Sequence, residues 1–175
     1  MGIRVTGGML RGRIIDSPSG LSVRPTGART REAVFNILQD VSGFSVLDLF
    51  AGSGIMGIEA LSRGASFVVA VENNRKQAIS LRNNYRKLQI ENNLTLWERD
   101  VLSLEFSHEK KTFDLIYADP PFTETYPDLR KFLDFLSPDG VAIFECPSRA
   151  IPEWALEGKV RRYGESSLAF FWKDS

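Results

Sequence analysis

The sequence predicts an α/β fold built on a mostly parallel sheet, preceded by an N-terminal β-hairpin. Three observations carry this expectation. From residue 44 onward, short apolar runs of strand length alternate with segments of helical periodicity. The first of those runs leads into a glycine turn, DLFAGSGIMGIEA (48–60), that opens a helix. Ahead of them, IRVTGGMLRGRII alternates around Gly7-Gly8 as a hairpin does. With 175 residues there is material for one well-filled core. The expectation is therefore one domain, with residues 1–26 a basic hairpin and loop appendage and 27–175 the core.

The elements follow in order. SPSGLSVRPTG (17–27) has loop chemistry, and ARTREAVFNILQDV places Ala33, Val34, Ile37, Leu38 and Val41 at helical spacing. FSVLDLF (44–50) is a short apolar strand. The helix after its glycine turn runs through Ile58 and Leu61 to a stop at Gly64. FVVAVE (67–72) is the next strand. It is followed by a long helix capped by Asn73 or Asn74, with Ala78, Leu81, Tyr85 and Leu88 inward. LTLWERD (94–100) and FDLIYADPPF (113–122) are further strands. A helix around Leu129–Leu136 leads through Ser137-Pro138-Asp139-Gly140 into the strand VAIFEC (141–146). The tail folds as a hairpin about Glu165–Ser167. A parallel sheet of this kind is covered on both faces.

Composition narrows the function. No apolar run approaches the roughly 18 residues of a membrane span, and the N-terminus lacks the apolar region of a signal peptide. One cysteine, Cys146, and one histidine, His108, are too few for a zinc site, so a metal-free cytoplasmic domain is expected. Net charge is zero but uneven. Residues 1–31 hold Arg4, Arg11, Arg13, Arg24, Arg29 and Arg31 against a single acid, Asp16. Guanidinium groups suit bidentate phosphate contacts. On charge alone, a nucleic-acid grip and a solvated basic hairpin are equally open.

The glycine turn presents backbone N–H groups to a ligand, a weak signal by itself. Asp48 sharpens it. A carboxylate beside this turn repels a pyrophosphate but attracts the α-ammonium of S-adenosylmethionine. Glu72 ends the second strand, 20 residues after Gly52, where it can accept ribose hydroxyls. Asp100-Val101 ends the third, where an adenine amine and ring would lie. The plainer reading is that such acids cap the following helices. Asp119-Pro120-Pro121-Phe122 ends the fourth strand. Its carboxylate and the proline-fixed carbonyl of Pro120 form two acceptors for an exocyclic NH2, with Phe122 available to stack on the ring. The plainer reading there is a proline-stiffened strand end.

DLFAGSG, Glu72 and DPPF, preceded by RVTGGMLRGR and RPTGARTREAVFNIL, resemble the RsmD-type family over Ile3 to Trp172. These are bacterial class I methyltransferases acting on N2 of a guanine in small-subunit ribosomal RNA. The resemblance implies a Rossmann-like, seven-stranded sheet whose last strand is antiparallel. It also implies that Asp48, Phe50, Ala51, Gly52, Ser53, Gly54, Glu72, Asn73, Asp100 and Val101 bind S-adenosylmethionine, and that Asp119 to Phe122 hold the guanine. The implied partner is 16S RNA on a small ribosomal particle, with Arg24, Thr26, Arg29 and Arg31 expected near its phosphates and the cofactor's outer wall. The charge argument adds Arg4, Arg11 and Arg13 to the RNA grip, and a monomer is the default state. Rival functions are an adenine-N6 methyltransferase on DNA, a methyltransferase for a protein amide, and a non-catalytic RNA-binding module of the same shape.

Overall fold

A computed structural model describes residues 2–18, 26–105, 112–121 and 125–174. Its strands are β1 (Gly2–Arg4), β2 (Ile14–Asp16), β3 (Ser45–Leu49), β4 (Phe67–Val71), β5 (Leu94–Trp97), β6 (Phe113–Ala118), β7 (Leu136–Pro147), β8 (Lys159–Tyr163) and β9 (Ser166–Trp172). The α-helices are α1 (Ala28–Leu38), α2 (Ile55–Ser62) and α3 (Arg75–Lys87). Seven strands form one sheet in the order β5-β4-β3-β6-β7-β9-β8. The pairs from β5 to β7 are parallel, and β9 runs antiparallel to both neighbours. The expected seven-stranded sheet with an antiparallel last strand is present. The chain leaves β3 toward β5 on one side and returns to β6 on the other. This order reversal opens a crevice at the carboxyl ends of β3 and β6.

The two faces are covered differently. Val46, Val68, Leu115 and Tyr117 pack against the three α-helices and against Ile3, Val5 and Ile15 of the hairpin. Leu47, Val69, Ile116 and Phe144 pack on the opposite face against 3₁₀ turns at Val101–Ser103, Arg130–Phe135 and Glu153–Glu157. The helix expected around Leu129–Leu136 is therefore one of these tighter turns. Pro138 drives Ser137 toward an extended backbone, so β7 already begins at Leu136.

The N-terminal hairpin pairs Gly2↔Asp16 through Arg4↔Ile14, and residues 5–13 connect its strands. Gly7-Gly8 is thus not the two-residue turn that the alternation suggests. Gly8 has φ +76°, and a Cβ there would fall 1.8 Å from the Ser62 carbonyl oxygen. The glycine serves a close approach. Met9 N donates to Ser62 O (2.7 Å) and Leu10 N to Ser62 Oγ (2.9 Å). At its other end, Asp16 N donates to Asn84 Oδ1 (2.9 Å) on α3. The hairpin is docked on two helices and shares their core. At the C-terminus the turn lies at Gly164-Glu165, closed by the pair Tyr163↔Ser166, one position before the expected Glu165–Ser167.

Candidate active site

Asp48 comes from β3, is 2% exposed, and accepts one hydrogen bond, from Gly57 N (3.3 Å). Burial pushes its pKa up to about 7, against the pull of the Gly57 N–H and with a further push from Glu72. A carboxyl this deep, with a single N–H partner among the described residues, suits a cationic ligand, and the ammonium of S-adenosylmethionine fits that requirement.

The loop after Asp48 turns through positive φ at Phe50 (58°), Gly52 (56°) and Gly54 (81°). A bulky residue at such a φ is costly and marks a constrained turn. The three glycines have different tasks. A Cβ on Gly54 would meet Leu81 Cγ at 2.8 Å, and one on Gly57 would meet the Tyr85 hydroxyl at 2.3 Å. These two glycines let α2 lie close to α3. The nearest atom to a Cβ on Gly52 would be Gln77 Oε1, at 3.1 Å.

Glu72 accepts Gly52 N–H at Oε2 (2.8 Å) and Asn74 N–H at Oε1 (2.7 Å). Each oxygen keeps a second lone pair for a ribose hydroxyl. Asn74 caps α3 through Lys76 N (3.0 Å) and Gln77 N (3.2 Å), while Asn73 is exposed. Asp100 is exposed and caps the 3₁₀ turn through Leu102 N (3.0 Å), and Val101 is buried. Capping, the plainer reading of Asp100, is thus present, and it leaves the second carboxylate oxygen available. A cleft of about 50 Å³ brings Asp48, Phe50, Ala51, Gly52 and Ser53 together with Asp119. Gly54, Glu72, Asn73, Asp100 and Val101 lie outside its lining.

Asp119 follows β6 directly, and Thr26 Oγ1 donates to its Oδ2 (2.9 Å). Burial and the neighbouring Glu145 and Asp48 hold its pKa well above the ordinary carboxyl value, against the Thr26 hydroxyl. Pro120 is buried and Pro121 exposed, whereas Phe122 lies outside the described residues. Asp119 also lines a second cavity, of about 510 Å³, with Glu145, Arg29 and Tyr163. Glu145, on β7, is 4% exposed and accepts the Tyr117 hydroxyl at Oε2 (2.6 Å). Tyr126 donates its hydroxyl to the Glu145 carbonyl oxygen and lies outside the lining of this cavity.

Thr26 belongs to the RPT stretch that carries the family resemblance, whereas Tyr117 and Glu145 carry no motif. For Glu145 a signal existed, since it is the one acid in the apolar run VAIFEC. Tyr117 lies opposite Asp48 in the β3–β6 register, which no local pattern reports.

The arginines divide. Arg4, Arg11, Arg13 and Arg29 are exposed, and Arg24 lies outside the described residues. Arg4 and Arg11 line a groove of about 660 Å³ between the hairpin and α1. Arg31 departs from the expected phosphate contact. It is 2% exposed and donates to Glu59 Oε1 (3.1 Å), to the Thr26 carbonyl and to the Arg4 carbonyl (2.8 Å). Glu59 is fully buried and also binds Arg63, Thr6 N (2.7 Å) and Thr6 Oγ1 (2.8 Å). Once an acid sits in the core, the chain supplies it with cations. Arg31 fills that need and ties the hairpin to Thr26. Thr26 itself borders all three cavities. Among the described residues, no group of three or more His, Cys, Asp or Glu could hold a metal, and no helix is long and apolar enough to cross a membrane.

Comparison with known proteins agrees with this fold. The family model described as conserved hypothetical protein 95 matches residues 3–172. Ribosomal RNA small subunit methyltransferase D of Escherichia coli K12 is 37% identical over 122 residues, covering 69% of this chain and 60% of that relative. The solved structure of E. coli yhhF superimposes with a TM-score of 0.82 at 28% identity, covering 99% of each chain. The Thermus thermophilus 16S rRNA N2 G1207 methyltransferase (RsmC), solved with AdoMet and guanosine, shares the fold at a TM-score of 0.74 and 24% identity over 99% of this chain and 50% of that one. With the family matched across nearly the whole length, on a sheet of this order with both acid-lined clefts at its carboxyl edge, the chain belongs to the RsmD-type methyltransferase family.

Proposed function

We propose that this chain transfers a methyl group from S-adenosylmethionine to the N2 amine of a guanine in 16S ribosomal RNA. The observation that carries the reading is the position of Asp119, which lines the Asp48–Gly52 cleft and the larger cavity at once. A donor held in the first and a base held in the second would meet at its carboxylate. The named functions of the relatives support the same chemistry, and a protein of this fold holds AdoMet and guanosine together.

When bound, S-adenosylmethionine supplies an electrophilic methyl on a sulfonium. Asp48 holds its ammonium, Glu72 its ribose hydroxyls, and Asp100 with Val101 its adenine. Asp119 and the Pro120 carbonyl accept the two N–H bonds of the guanine amine. This favours the pyramidal nitrogen whose lone pair can attack, and Phe122 stacks on the ring. Positioning supplies most of the acceleration. Asp119 would take the proton that leaves the amine, for which its raised pKa suits it. The exposed Arg4, Arg11, Arg13 and Arg29, with Arg24, grip RNA phosphates. In this reading residues 1–175 are one domain, working as a monomer in the cytoplasm on a small-subunit particle.

The test is transfer of labelled methyl to small subunits from cells lacking this gene, with the modified nucleosides identified by mass. N2-methylguanosine that disappears with Asp119→Ala is the expected result. Methyladenine from DNA, or no transfer to any acceptor, overturns the reading.

A further inference from the structure

Resting on that reading, we propose that Glu145 selects guanine by accepting its N1–H. Guanine carries three adjacent donors, N1–H and one N2–H on its Watson–Crick edge and the second N2–H turned toward N3. Adenine and cytosine place a ring nitrogen lone pair beside their exocyclic amine instead. The larger cavity offers a matching third acceptor. Asp119 and the Pro120 carbonyl serve the amine, and Glu145 lines the same cavity beside Asp119.

Glu145 is 4% exposed, and Tyr117 is its hydroxyl donor, on Oε2. A carboxylate has about four acceptor sites, so one neutral hydroxyl leaves room for another donor. Burying an acid this deeply next to a second acid is costly unless donors compensate it. A guanine edge brings such donors, and an adenine N1 lone pair would add repulsion. The other charged groups lining the cavity are Arg29 and Glu165. A site built to bind a substrate N–H rejects analogues lacking it far more strongly than shape alone can.

The experiment uses the full chain and small subunits carrying either guanine or 2-aminopurine at the nucleotide the wild type modifies. 2-Aminopurine keeps the N2 amine but presents N1 as an acceptor. The wild type should prefer guanine by at least about 100-fold in kcat/KM. Glu145→Gln, whose amide can turn its N–H toward N1, should bring that preference below about tenfold, because it slows guanine and spares 2-aminopurine. Tyr117→Phe should slow both substrates and leave the ratio in place. A wild-type preference under tenfold overturns the proposal, and so does an E145Q variant that slows both substrates equally. In either case, N2-methylguanosine on the normal substrate keeps the functional reading intact. Absence of N2-methylguanosine with wild type overturns both. Should E145Q fail to fold, Glu145→Ala takes its place: loss of the guanine preference is then expected, and a preference kept at the wild-type ratio overturns the proposal.

Discussion

Asp48→Asn pits stability against ligand binding, and the two effects have opposite signs. The Asp48 carboxyl titrates at 3.8 when unperturbed and at about 7 in the fold. At 1.36 kcal/mol per pH unit, that gap amounts to about 4 kcal/mol. The folded state holds this proton more tightly than the unfolded chain. Stability is therefore lost as pH rises, beginning above about 4 and complete above about 7. Linkage between pH 5 and pH 8 takes roughly 2.5 kcal/mol from the wild type through this one group. Asparagine keeps an oxygen for Gly57 N–H and has no proton to lose.

Urea unfolding at pH 5, 6.5 and 8 without ligand should show the Asn variant gaining on wild type as pH rises. Its affinity for S-adenosylmethionine should fall about 10- to 100-fold, the worth of one charge-assisted hydrogen bond. Wild-type affinity should tighten from pH 6 to 8, since the ammonium needs the ionised carboxylate. Parallel stability profiles for the two proteins, with unchanged affinity, would refute the reasoning. Glu72 and the Tyr85 hydroxyl interact electrostatically with this carboxyl and belong in any detailed fit.

Other outcomes follow from the same contacts. Thr26→Val removes the hydroxyl that lowers the Asp119 pKa, so the acid limb of the kcat profile should move to higher pH, with kcat down about tenfold. Arg31→Ala leaves buried Glu59 short of a cation and should cost about 3 kcal/mol in urea unfolding. Arg11→Ala with Arg13→Ala should leave stability within about 0.5 kcal/mol and flatten the salt dependence of RNA binding. Gly57→Ala should destabilise by about 1–3 kcal/mol, because its methyl would collide with the Tyr85 hydroxyl and Val68.

Most of the fold was legible in sequence because its signals are local. Alternating strand and helix periods, the glycine turn after Asp48 and the acids at strand ends each depend on neighbours within a few residues. Local signals misled where tertiary demands overrode them. Gly7-Gly8 looks like a hairpin turn, yet Gly8 is there because the Ser62 carbonyl comes too close for a Cβ. The apolar spacing at Leu129–Leu136 suggests a helix, yet flanking prolines and an early start of β7 leave a 3₁₀ turn.

By itself the sequence determined an α/β fold with an acid beside a glycine turn, an Asp-Pro-Pro strand end and a basic N-terminus. Only the tertiary structure decided which of these groups meet. Thr26 reaches Asp119 across 93 positions, Tyr117 reaches Glu145 across 28, and Arg31 turns inward to an acid 28 positions away. Periodicity states which face a side chain takes. Partners across a sheet are set by strand register and crossover order, and those exist only once the chain has folded.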